Sequence, residues 1–144
     1  MTYNKIQVLM LEPGKSPTPV TLSTSDYSLR KAVNIGGNHH YKAKCKRIED
    51  EICVLYNANK INPFLTPNRC LGGEILSGVI YIVAVTSQNE LRSLSNDELH
   101  KYAKQFLIPE EYTKFEAHST NLTYLCRTPR RIAEAKEVNI RKYS

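Results

Sequence analysis

Asn62-Pro-Phe-Leu-Thr-Pro-Asn-Arg-Cys-Leu-Gly-Gly-Glu74 runs directly into Ile75-Leu-Ser-Gly-Val-Ile-Tyr-Ile-Val-Ala-Val85. Prolines and paired glycines mark the first segment as a structured turn, and the second contains the most apolar run of the chain, Val79 to Val85. An apolar run without alternation suits a strand buried on both faces, which puts Val79 to Val85 at the centre of a sheet. The turn holds Asn68 and Arg69 as polar groups close to that core.

Upstream, Lys5 to Leu11 interleaves Ile6, Val8 and Met10 with Leu9 and Leu11, again a strand apolar on both sides. Glu12-Pro13-Gly14-Lys15 ends it in a turn. Val20-Thr21-Leu22 makes a short return strand at an edge, where Pro17 and Pro19 are tolerated. Ser25 or Thr24 then caps a short helix with Leu29, Ala32 and Val33 on one side, stopped by Gly36-Gly37. Past a polar loop with Asn38, His39 and His40, residues 41–47 alternate as a strand. Lys42, Lys44 and Lys46 share one face, and Tyr41, Ala43 and Cys45 share the other. Ile52 to Tyr56 is a buried strand closed by a turn at Asn57-Ala58-Asn59-Lys60.

Downstream, Ser95 and Glu98 form a capping box and Leu94 and Leu99 a hydrophobic staple. Leu99, Tyr102, Ala103, Phe106 and Leu107 make one apolar helical stripe, and Pro109 ends it. Tyr112 and Phe115 extend a helical face, Leu122 to Cys126 suits a strand, and Thr128-Pro129 opens a basic helix through Glu137. The order of elements implies an α+β domain: a mixed or antiparallel sheet of about five strands with two packed helices, both expected on one side. Residues 1–109 form this core domain, and 110–144 form a basic C-terminal extension packed on it or projecting from it.

With 144 residues, 41% hydrophobic and 24% charged, the chain is long enough for one core. Its longest apolar run is about a third of the roughly 20 residues that a membrane-spanning helix needs, and no signal-like segment opens it. A soluble protein is expected, without membrane association. Cys45, Cys53, Cys70 and Cys126 form no C-x-x-C pair and are expected as reduced thiols, with Cys53 in the core.

The net charge of +6 favours an anionic partner. Residues 1–72 carry ten basic and five acidic side chains, residues 73–144 ten and nine. The excess concentrates in Lys42-Ala43-Lys44-Cys45-Lys46-Arg47 and in the tail from Arg127 onward. The lysine stripe can track a phosphate backbone or guard a sheet edge, and Arg127, Arg130 and Arg131 can bind anions or form a solvated face. Arg69 beside Gly72-Gly73 can hold an anion in the same way, or serve only the turn. No conventional nucleotide loop surrounds these glycines.

His118-Ser119-Thr120 gives one half of a paired His-x-Thr arrangement, without the second. His39, His40 and the scattered cysteines make no recognisable metal set. No cofactor is expected, and no catalytic residues are assigned.

Ile6-Gln-Val-Leu-Met-Leu-Glu-Pro-Gly14, Leu55-Tyr56-Asn57, Thr66-Pro67-Asn68-Arg69, the glycine-bearing Ile75 to Val85 strand and Ser93-Leu94-Ser95 carry a resemblance. Over residues 5 to 107 the chain resembles a family of small uncharacterised domains of phages, conjugative plasmids and other mobile elements. It departs from them in the lysine-rich stretch at residues 38–50 and in the extension after Pro109. The resemblance implies a non-enzymatic counter-defence accessory protein in the cytoplasm of a bacterial host, which binds a host defence protein, nucleic acid or a nucleotide signal. The alternatives are a DNA- or RNA-binding accessory factor, and a small phosphodiesterase or nucleotide hydrolase using His118.

Overall fold

The computed structural model describes residues 5–33, 43–58, 66–71, 74–110, 112–116, 122–126 and 136–138. Strand β1 (Lys5–Leu11) turns back into β2 (Thr18–Ser23) through Glu12-Pro13-Gly14-Lys15, where the Lys15 amide donates to the Glu12 carbonyl. Proline at the second position and Gly14 at φ 72° at the third match a type II turn. Helix α1 (Asp26–Val33) is capped by Ser25, whose Oγ accepts from the Ser28 amide at 3.1 Å.

Strands β3 (Ala43–Glu49) and β4 (Ile52–Asn57) form the next hairpin, and β5 (Pro67–Leu71) pairs with β6 (Glu74–Ser77) as a separate one. The stretch from Asn62 to Glu74, expected to be a turn, thus contains a strand. Gly78, at φ 77°, then breaks the run that the sequence suggests is continuous from Ile75, and releases the chain into β7 (Ile80–Val85).

Strand β8 (Leu91–Arg92) folds back on β7, and helix α2 (Asn96–Gln105) follows with both halves of its capping box formed. Strands β9 (Tyr112–Glu116) and β10 (Leu122–Cys126) pair with each other, and β11 (Lys136–Val138) pairs with β3. Tyr112 and Phe115 therefore belong to a strand, and so do Lys136 and Glu137, where helical continuations were expected.

The main sheet runs β11-β3-β4-β7-β1-β2, with β8 on the end of β7, and every pairing is antiparallel. This is an α+β fold with more strands than the expected five, because short β8 and β11 and the polar β5 carry little apolar periodicity. All six residues of β4 and of β7 are buried, so both faces of the sheet need a cover.

The helices divide that task instead of sharing one side. Leu29 and Val33 of α1 pack with Ile6, Val8, Leu55 and Val83, while Leu99, Tyr102 and Phe106 of α2 pack with Leu9, Val54, Ile80 and Ile82. Leu71 and Leu76 bring the β5–β6 hairpin onto the α2 face. Leu107, expected in the apolar stripe, is 54% exposed because α2 ends at its cap, Phe106. No helix among the described residues is long and apolar enough to cross a membrane.

Candidate functional site

Asn68 and Arg69 lie on β5, and both are 0% exposed. The register passes from Pro67 opposite Ser77 to Arg69 opposite Leu76, which makes Asn68 the extra residue of a β-bulge. Asn68 Nδ2 donates to the carbonyls of Leu11 and Gly78, each at 2.7 Å. Arg69 Nη1 donates to the Asn68 carbonyl and to Asn68 Oδ1, and Nη2 donates to the carbonyls of Lys15 at 3.0 Å and Phe106 at 3.3 Å.

A buried guanidinium costs several kcal/mol unless its protons are taken up, and here the adjacent Asn68 and main-chain oxygens from two distant segments accept them. Lys15 belongs to the β1–β2 turn, and Phe106 is the C-cap of α2. The strand bonds inward, at the junction of sheet, turn and helix. Next to it, the Cys70 amide donates to Glu110 Oε2 at 2.6 Å, and so does the Tyr112 hydroxyl at 3.0 Å.

Lys44 and Lys46 stand opposite Tyr56 and Val54, and so face α2. Lys46 does not lie on a free sheet edge, since Glu137 of β11 pairs opposite it. Lys46 Nζ forms an ion pair with Glu74 of β6 and sits 5.7 Å from the centroid of the Tyr56 ring. Of the stripe that alternation predicts, Lys44 and Lys46 share a face of β3, and Lys46 contacts the small hairpin. Lys42, Arg127, Arg130 and Arg131 lie outside the described residues, as do His39, His40 and His118.

On the other face, Arg47 stands opposite Cys53, and Cys45 stands opposite Leu55. The thiols are therefore diagonal neighbours on adjacent strands, and both are buried. The neighbouring Cys45 and Arg47 lower the Cys53 thiol below its ordinary range, whereas the neighbouring Cys53 and burial push Cys45 up. Sequence reading treated these cysteines separately. A hairpin turn at Asp50 and Glu51 between two strands was the signal that brings them together.

Two polar clusters fix α2 to the sheet. Arg92 Nη1 and Nη2 reach the two carboxylate oxygens of Glu98 at 2.8 and 2.9 Å, and its Nε reaches Glu51 at 3.1 Å. The guanidinium holds the Glu98 carboxyl down at about 2. Glu49 accepts from Lys101 at 2.9 Å and from the Tyr102 hydroxyl at 2.7 Å, which lowers its carboxyl. These carboxylates act in helix mounting, and no group of three or more metal-ligating side chains occurs among the described residues. Comparisons with family models, with curated proteins and with solved structures return no match.

Proposed function

We propose that the chain is a non-enzymatic accessory protein that binds an anionic partner through basic residues such as Lys42, Arg127, Arg130 and Arg131. The observation that carries this reading is the partition of charge. Residues 42–47 hold four basic and no acidic side chains, and residues 127–144 hold six basic and two acidic. Arg69, Arg92 and Lys46 are engaged within the fold. The surplus falls on Lys42, Arg127, Arg130, Arg131, Arg141, Lys142 and their neighbours in sequence.

Two of these stretches adjoin one end of the β3–β11 pair. Val138 stands opposite Cys45, Lys42 immediately precedes β3, and Arg141 follows β11 by three residues. The resemblance to mobile-element domains supplies the setting, a counter-defence protein whose target is a host nuclease with its nucleic acid, or a nucleotide signal. A plain DNA- or RNA-binding role loses the contribution expected from Lys46, which is engaged with Glu74.

The purified chain is to be incubated with bacterial extract, then denatured and assayed for released nucleotide, with parallel recovery of bound protein and nucleic acid. Where nucleic acid is recovered, joint replacement of Arg127, Arg130 and Arg131 by alanine is expected to flatten the logarithmic salt dependence by roughly 2 to 3, and Lys46→Met to leave it unchanged. Recovery of none of the three, with no effect on phage infection on expression, overturns the proposal.

A further inference from the structure

We infer that two copies of this chain associate through β2, edge to edge and antiparallel, about a two-fold axis at Thr21. Strand β2 ends the main sheet, and among the described residues no strand lies beyond it. Which of its backbone groups face outward follows from β1. The Gln7 amide donates to Ser93 Oγ at 3.0 Å, and the Gln7 carbonyl accepts from the Leu94 amide at 2.9 Å, so both point away from β2. Thr21 stands opposite Gln7, and this is therefore a non-hydrogen-bonded pair of the antiparallel ladder. The Thr21 amide and carbonyl face outward, and by alternation so do those of Ser23 and the carbonyl of Pro19. Pro19 thus sits where the pairing with β1 needs no amide.

The pattern of this edge is self-complementary. Strand β2 reads Thr-Pro-Val-Thr-Leu-Ser and has no charged side chain, in a chain with 20 basic and 14 acidic residues. A strand paired with its own copy sets identical side chains against each other at the axis, where a charge repels and Thr21 does not. With the axis there, Thr21 exchanges two hydrogen bonds with its counterpart, and the Ser23 amide of each copy donates to the Pro19 carbonyl of the other. Every outward amide of β2 then has an acceptor. Between these pairs Val20 stands opposite Leu22 of the second copy, on the α1 side. Both are half-buried at the margin of the α1 core, and a non-hydrogen-bonded pair brings their side chains closest. Displacing the axis by one residue either matches Thr21 to Pro19, which halves the central bonds, or shortens the overlap to residues 21–23. Six residues give an edge roughly 20 Å long, at the small end of specific interfaces, so the association follows concentration.

The test follows the full chain by sedimentation velocity and by amide exchange, over concentrations from about 1 µM to about 1 mM. A monomer–dimer equilibrium is expected, with exchange at the Thr21 and Ser23 amides slowing at least about tenfold toward the concentrated end. Thr21 is exposed, and Thr21→Lys and Thr21→Glu are each expected to raise the dissociation constant at least about tenfold, because each opposes its own charge at the axis. An equimolar mixture of the two variants should dimerise again, which also shows that both are folded. The parent-chain exchange result depends on neither variant. A chain that stays monomeric throughout overturns the inference. So does a dimer in which the Thr21 and Ser23 amides exchange at a rate independent of concentration, or one that both variants form as readily as the parent. A mixture no more dimeric than the separate variants refutes the axis at Thr21.

Discussion

Asn68 Oδ1 accepts a 2.7 Å hydrogen bond from Nη1 of Arg69, although consecutive residues of a regular strand point to opposite faces. The bulge at Asn68 removes that alternation, and both polar side chains enter the same interior. One then bonds the end of β1 and Gly78, and the other bonds the β1–β2 turn and the cap of α2. Because each orients the other, their contributions to stability are coupled. Asn68→Ala and Arg69→Ala are each expected to lower unfolding free energy by about 2 to 4 kcal/mol. The double variant should lose at least about 1 kcal/mol less than the sum, measured by urea denaturation in a double-mutant cycle. Additive losses would mean that the two side chains act independently.

Acid should weaken the mounting of α2. The Glu98 carboxyl, held at about 2 by Arg92, lies below its unfolded value near 4.3. Its contribution is therefore complete above about pH 5 and is lost as pH falls toward 2. Glu49, lowered by Lys101 and Tyr102, shifts stability in the same direction. Both partners of the Arg92–Glu98 pair are a quarter to a third exposed, so the Glu98 share is on the order of 1 kcal/mol after solvent screening. Glu98→Gln keeps the capping box and should reduce the difference between denaturation curves at pH 7 and pH 3.

Helix α1 has its own tie, since the Tyr81 hydroxyl donates to the Ala32 carbonyl at 3.3 Å. Burial and the Glu12 carboxylate push the phenol up to about 12, so it remains a donor at neutral pH. Tyr81→Phe retains the ring packing and is expected to cost about 0.5 to 1 kcal/mol. Hydrogen exchange should quicken at α1 amides and not at α2 amides. Equal quickening in both helices would show that this bond stabilises the sheet as a whole.

The Pro13-Gly14 turn offers a backbone test. A Cβ at Gly14 meets nothing within 4 Å, yet its φ of 72° is left-handed. Gly14→Ala should therefore destabilise by about 1 kcal/mol through conformation alone. Asn is tolerated better in that region, and Gly14→Asn should recover part of the loss in thermal denaturation.

Local chemistry made much of this fold legible. The apolar runs marked β1, β4 and β7, and Ser95 with Glu98 marked the start of α2. Strand β5 was hidden because Pro67, Asn68 and Arg69 read as turn residues. Their burial depends on carbonyls at Leu11, Lys15 and Phe106, far away in sequence. The placement of α1 and α2 was hidden for a related reason: periodicity identifies an apolar side of a helix but not the sheet face that receives it. At the candidate site, alternation correctly grouped Lys44 with Lys46, but their contacts with β4 and β6 follow from pairing alone.

Strand β11 adds a temporal consequence. About ninety residues separate β3 from the strand that covers its outer edge, and at roughly 5 to 20 residues per second that interval lasts on the order of ten seconds during synthesis. Throughout it, a nascent hairpin of β3 and β4 presents an open row of backbone donors and acceptors to other emerging chains. Charged side chains along β3, four of its seven residues in Lys44, Lys46, Arg47 and Glu49, make that waiting edge a poor template for apolar strands. The same residues that hold the finished sheet to its neighbours thus also guard it on the ribosome.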